Sequence, residues 1–116
     1  MAETTPRVAV HVADGEPGRQ ELVLRNVANL ARDLGEGAVI EVVALGPGLS
    51  VCLAGGELAG EVAGLIERGV GVRACANTLR AMGIGEDRLL PGVEVVPAGV
   101  GHLVRRQLEG WAYLRP

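Results

Sequence analysis

Short, β-branched apolar runs alternate along the whole chain with longer stretches of helical spacing. Arg7-Val8-Ala9-Val10-His11-Val12-Ala13 is nearly all apolar and reads as a buried strand. Asp14-Gly15-Glu16-Pro17-Gly18 is a turn cluster. Arg19 to Leu34 predicts an amphipathic helix, with Val23, Val27, Leu30 and Leu34 on one stripe and Leu24, Ala28 and Ala31 beside them. Gly35 ends it, as a C-terminal glycine commonly does. Ala38 to Leu45 predicts a central strand, stopped hard by Gly46-Pro47-Gly48. Leu49 to Gly56 reads equally as a helical turn or a loop. Glu57 to Arg68 predicts a second helix, with Leu58, Val62, Leu65 and Ile66 on one face. Its glutamates lie mostly toward the N-terminus and Arg68 at the end, as the helix dipole prefers.

Val70 to Ala74 reads as a third strand, followed by a short helix from Asn77 to Met82 with Asn77 or Thr78 as its cap. Gly83-Ile84-Gly85 interrupts, and Glu86 to Leu90 adds a helical turn before Pro91-Gly92. Val93 to Val96 is the fourth strand, closed by Pro97. Val100, Leu103, Val104 and Leu108 mark the apolar face of a last long helix, ended by Gly110. Trp111-Ala112-Tyr113-Leu114 alternates and reads as a short final strand. Strands and helices that alternate in this way predict an α/β fold, a parallel sheet covered by helices on both faces. The 116 residues carry no repeat or linker and fit a single domain over residues 1–116.

Composition narrows the chemistry. Apolar residues make up 48 %, with one Trp, one Tyr and no Phe, so the core is aliphatic. The formal net charge of −3 argues against nucleic acid or an anionic membrane as partner. No run of about 18 apolar residues occurs, so no spanning helix is expected. The polar start, Met1 to Pro6, lacks the pattern of a secretory signal, and a cytoplasmic protein is the expectation. All 11 basic residues are Arg, which excludes a Schiff-base lysine and a lysine-bearing P-loop. The one serine, Ser50, lies outside any G-x-S-x-G elbow. The strong nucleophiles are therefore Cys52 and Cys75, read as thiols rather than as a disulfide framework.

Cys75 is the leading candidate. It sits where the third strand turns into a helix, at the carboxyl ends of the strands, where such folds bind ligands. Orphan N–H groups and the positive end of a helix dipole favour thiolate, the reactive form. Arg73 and Arg80 would add positive charge if they point at the sulfur. His11, at the end of the first strand, shares this rim with Asp14 and His102, and is a candidate base or orienting group. Backbone N–H groups after the strand ends, around Gly46, Gly48, Asn77 and Thr78, are candidates to hold a small anion. Gly69-Val70-Gly71-Val72-Arg73-Ala74 matches G-x-G-x-x-A in letters, but it lies before and within a strand, so the dinucleotide mechanism does not apply. Cys52, between Val51 and Leu53, reads as core filler, and Arg105, Arg106 and Glu109 as a solvated helix face. Asn26 and Asn29 share a flank of the first helix and read as surface residues. No spacing calls for a metal or cofactor.

Several stretches together resemble the DsrE/DsrF-like (YchN-like) family. They are Asn26-Val27-Ala28-Asn29-Leu30, Val42 to Leu49, Ala74-Cys75-Ala76-Asn77-Thr78-Leu79-Arg80, and Leu90 to Val100 leading into Gly110-Trp111-Ala112-Tyr113-Leu114. The resemblance implies a three-layer α/β/α domain with a parallel sheet of about five strands. It implies homo-oligomers, commonly trimers or hexamers. It also implies a cysteine that carries sulfur as a persulfide between protein donors and acceptors, in the manner of a sulfurtransferase; that cysteine maps to Cys75. Cys52 has no counterpart in a sulfur-relay member. The other expectation from these residues is a non-enzymatic binding or assembly module, with a structural Cys75 and an oligomer edge at Trp111 and Tyr113.

Overall fold

The computed structural model describes residues 5–116. The polar opening read from Met1 to Pro6 lies outside them for residues 1–4. Among the described residues, five strands form one sheet: β1 (Arg7–Val12), β2 (Val39–Ala44), β3 (Gly71–Cys75), β4 (Val93–Val96) and β5 (Ala112–Leu114). All neighbouring pairs are parallel, in the order β4-β3-β2-β1-β5. The helices are α1 (Pro17–Leu34), α2 (Ala59–Glu67), α3 (Ala76–Met82) and α4 (Gly99–Leu108).

That order dictates the layers. The first three crossovers step the same way across the sheet, so right-handed connections put α1, α2 and α3 on one face. The fourth leaps back from β4 to β5, which puts α4 on the other. The core records this. Val8, Val10 and Val12 of β1, Ile40 and Val42 of β2, and Val72 and Ala74 of β3 pack with Val23, Leu24, Val27, Val62, Leu65 and Leu79 of the three helices. On the opposite face a small cluster joins Ala9 and Val43 to Leu103 of α4, with Leu45 and Trp111 against it. The chain is therefore a three-layer α/β/α domain with a thick side and a thin side.

Local chemistry explains where the elements differ from the pattern of the sequence. α1 begins at Pro17 rather than Arg19, because the Glu16 carboxylate accepts from the N–H groups of Gly18 and Arg19 and Pro17 suits the first turn. α2 is shorter than expected, Ala59–Glu67. Leu49 to Gly56 belongs in part to a 3-10 segment, Gly46–Cys52, that buries Leu49, Val51 and Cys52. β3 runs one residue further than expected, to Cys75, and α3 follows at once at Ala76, so Cys75 itself is the N-cap residue and neither Asn77 nor Thr78 caps.

α4 departs most. Val100, Val104 and Leu108, expected to face the core, are 61 %, 55 % and 82 % exposed. Leu103 alone of that set is buried. The stripe that meets the sheet is Gly99, His102, Leu103 and Arg106, at helical spacing of three, four and seven.

Two glycines test this packing with opposite signs. A Cβ on Gly48 would stand 2.1 Å from the Val12 carbonyl oxygen, whereas one on Gly64, inside α2, meets nothing within 4 Å. Gly48→Ala is expected to lower the free energy of unfolding in urea by about 3 kcal/mol, since the β1 backbone must shift. Gly64→Ala is expected to raise it by about 1 kcal/mol through helix propensity. Equal effects would contradict this packing.

Candidate functional site

The sequence after β3 leaves no spacer between strand and helix. Cys75 ends the strand and Ala76 starts α3, so the cysteine is itself the N-cap residue, next to the free N–H groups of the first helical turn. On β3, Gly71, Arg73 and Cys75 point to the thin face, opposite Val72 and Ala74. There Cys75 meets the start of α4. A Cβ built on Gly99 would lie 3.3 Å from the Cys75 Cβ and 3.0 Å from Leu45 Cδ2, so only glycine lets the helix backbone come this close. Cys75 is 4 % exposed.

The Cys75 side chain makes no cap hydrogen bond. As a thiolate it is favoured. Burial alone would push the thiol up, but the Thr78 hydroxyl and the N–H groups of Gly99, Thr78 and Asn77 outweigh it and hold the group below the usual cysteine value. Thr78 Oγ1 accepts from the Gly46 N–H at 2.9 Å. That contact occupies the oxygen and leaves its own proton free to point at the sulfur. Cys52 is the contrast: buried among aliphatic side chains, it is pushed up to about 12, which fits a core residue.

The other expected residues separate. Gly46 and Gly48 do not present free N–H groups to an anion: Gly46 donates to Thr78 and Gly48 to the Leu45 carbonyl at 3.2 Å. Gly46 thus belongs to the site as an orienting group, and Gly48 to the packing. Asn77 contributes its backbone N–H, while its side-chain oxygen accepts from Arg80. Arg80 is thereby engaged on the surface of α3. Arg73 turns away from the sulfur, its guanidinium lying back over Gly71 and paired with Glu41 and Glu94 at 3.3 and 3.4 Å. His11 is not brought to Cys75. It shares a row with Val43 and Arg73, two strands from β3, about 10 Å across the sheet, and is hydrogen-bonded through Nδ1 to Tyr113 at 2.8 Å. Burial, then Arg115, lowers its pKa and favours a neutral ring. Trp111 packs within its own chain, under the Arg106 guanidinium at 4.4 Å.

One centre was missed in the sequence. Glu41, on β2, is 3 % exposed and meets four side-chain nitrogens, three by hydrogen bonds and one by an ion pair. His102 Nε2 and Arg106 Nε reach Oε1 at 2.7 and 3.0 Å, and Arg106 Nη2 and Arg73 Nη2 reach Oε2 at 2.7 and 3.3 Å. Burial opposes ionisation here, but Arg106, His102 and Arg73 overcome it and hold the carboxyl below its usual range. Arg106 is therefore no solvated residue; it also holds Glu109 at 2.8 Å. The available signal was a lone Glu between Ile40 and Val42 in an otherwise apolar strand.

The Cys75 geometry gives a pH test. A folded thiol held low contributes stability above the ordinary cysteine value, and this is lost as the pH falls through the folded value. Thr78→Val removes the donating hydroxyl. The midpoint of the pH profile for alkylation of Cys75 is expected to move upward, with Cys52 unlabelled in both proteins until they unfold. A midpoint that stays in place, measured peptide by peptide by mass spectrometry, would remove the hydroxyl from the account.

Comparison with known proteins agrees with this architecture. The chain is similar to a protein of unknown function, MTH1491, from Methanobacterium thermoautotrophicum, with 49 % identity, 96 % of this chain and 99 % of that one covered, and a TM-score of 0.91. It shares its fold with the YchN protein of E. coli at 18 % identity, 97 % and 100 % coverage, and a TM-score of 0.80. No curated protein matches it in sequence. The model of the DsrE/DsrF-like family matches residues 7–116, and the chain belongs to that family.

Proposed function

We propose that this DsrE/DsrF-like protein carries sulfur as a persulfide on Cys75, within a cytoplasmic relay between a protein donor and a protein acceptor. One feature supports it above the others: Cys75 stands at the junction of β3 and α3, packed against Gly99 of α4, where neighbouring hydroxyl and N–H groups lower its pKa, while the second cysteine is held as an inert thiol. In the loading step the Cys75 thiolate attacks the outer sulfur of a donor persulfide. A sulfur–sulfur bond forms to Cys75, the donor's own sulfur–sulfur bond breaks, and the donor leaves as thiolate; the outer sulfur keeps its proton. In delivery an acceptor thiolate attacks that same outer sulfur and Cys75 leaves as thiolate. A depressed pKa helps both steps, by populating the nucleophile and by easing its departure. No oxidant is needed.

Burial sets a condition. At 4 % exposure the sulfur meets a donor only through a local opening of the rim around it. The same burial favours the second reading, a non-enzymatic binding or assembly module in which Cys75 is structural. Incubating the folded protein with glutathione persulfide separates them. The expected result is a gain of one sulfur atom on the Cys75 peptide, none on Cys52, and none in Cys75→Ala. A folded protein that takes up no sulfur overturns the relay and leaves the binding module.

The partner on the thin face is a further copy of the chain in this reading, as a trimer or hexamer. Its support is the apolar row Val100, Val104 and Leu108 on the outside of α4. Sedimentation is expected to give an oligomer for the wild type and a monomer for Val104→Glu. A wild type that stays monomeric at about 100 μM would exclude this assembly.

A further inference from the structure

A thiolate favoured by a helix N–H depends on where that helix is held. α4 runs antiparallel to the strands: Gly99 lies at the carboxyl end of the sheet against Cys75, and its later turns lie over Glu41. Ala98 offers no side-chain cap, so the start of the helix rests on backbone packing of Gly99 against Leu45 and Cys75. The row that faces the sheet is thin in apolar contact, with Leu103 as its buried aliphatic side chain. What fixes α4 lies three and seven residues on from Gly99. His102 and Arg106 both reach the one carboxylate of Glu41, and Arg106 is further clamped between Trp111 and Glu109. Arg73, two residues before Cys75 on the same face of β3, joins the carboxylate to the cysteine's own strand and to Glu94 of β4.

We propose that Glu41 is a positioning residue for Cys75: by gripping His102 and Arg106 it seats α4 so that its start at Gly99 stays packed against the cysteine. Its purpose rests on the persulfide reading, but its effect on the thiol does not. The charged and titratable groups around it are Arg73 from β3, Glu94 from β4, His102 and Arg106 from α4, and Glu109 just beyond. Among the described residues, no charged side chain contributes to the shift at Cys75 itself; burial and hydrogen-bond donors do.

Sign distinguishes positioning from plain electrostatics. Glu41→Gln removes a negative charge and leaves Arg73 and Arg106 with Glu94 and Glu109 alone as acidic partners. By Coulomb's law alone this draws the Cys75 thiol lower. If Glu41 acts by seating α4, its loss releases the Gly99 N–H and the thiol moves up. The experiment is the pH profile of Cys75 alkylation in wild type and Glu41→Gln, with amide exchange at Gly99 as a second readout. The expected result is a midpoint shifted upward and faster exchange at Gly99. A midpoint that falls or stays in place overturns the proposal.

Should Glu41→Gln fail to fold, Glu41→Met combined with Arg106→Leu removes one charge of each sign and replaces the pair with apolar bulk, a change that folded proteins often tolerate. Coulomb terms then nearly cancel, and an upward midpoint is still expected; an unchanged one overturns the proposal. Sulfur uptake from glutathione persulfide at pH 10 is measured in parallel, where thiolate prevails in either variant. Wild type that takes up no sulfur while Glu41→Gln still shifts the midpoint upward refutes the relay alone. Wild type that takes up sulfur while the midpoint does not rise refutes the positioning alone.

Discussion

A carboxylate at 3 % exposure persists in a sheet only if cations come to it. Glu41 is that carboxylate, and the rest of the thin face is arranged to meet it. β3 supplies the Arg73 cation from the next strand, and α4 supplies the Arg106 cation and a His102 hydrogen bond from above. The Arg106 fork grips both carboxylate oxygens, and its far side lies over Trp111. Removing one partner from such a cluster typically costs about 3–5 kcal/mol, because the remaining charges stay buried and unpaired. The cluster is therefore a poor source of net stability and a strong constraint on geometry. It admits one rotation of α4 about its axis.

That rotation explains the orientation of the helix. With Arg106 and His102 turned in, Val100, Val104 and Leu108 must turn out. Thus one helix satisfies a buried acid on its inner side and presents an aliphatic row on its outer side. The thick face shows the ordinary arrangement, with the apolar stripes of α1 and α2 buried against the sheet. The contrast lies in the strands beneath. β1, β2 and β3 give the thick face nothing but aliphatic side chains, whereas Glu41 and Arg73 stand among those they give the thin one.

This also marks how far the sequence can be read. The five strands, their parallel pairing and the junction at Cys75 are local patterns: β-branched runs, glycine stops, and alternation with helical spacing. α1 followed from its stripe because its partner surface is plain hydrocarbon. α4 did not, because spacing counts apolar residues and takes them as inward, while the decision rests on a residue 61 positions earlier, Glu41 beneath His102. Asn77 and Thr78 were visible as polar residues near a helix start. Their use was not, since Thr78 is engaged by the N–H of Gly46, on a different loop. His11 and Cys75 lie on one rim in any parallel sheet of this kind, but strand order decides which residues meet, and β2 stands between them.

The chemistry at Cys75 follows from the same division of labour. Thiolates are often held by a neighbouring cation, and the nearest candidate on the same face, Arg73, is committed to Glu41. The sulfur is left with neutral donors: one hydroxyl and the backbone N–H groups of Asn77, Thr78 and Gly99. Such donors favour the anion without forming an ion pair with it. A thiolate locked to a guanidinium must break that pair to attack or to leave, whereas backbone dipoles fixed by their helices remain in place as the sulfur changes charge. The arrangement suits a group that must be nucleophile in one step and leaving group in the next. It works only while the helix start keeps its place, so the buried carboxylate at the far end of α4 and the sulfur at its near end belong to one mechanical unit.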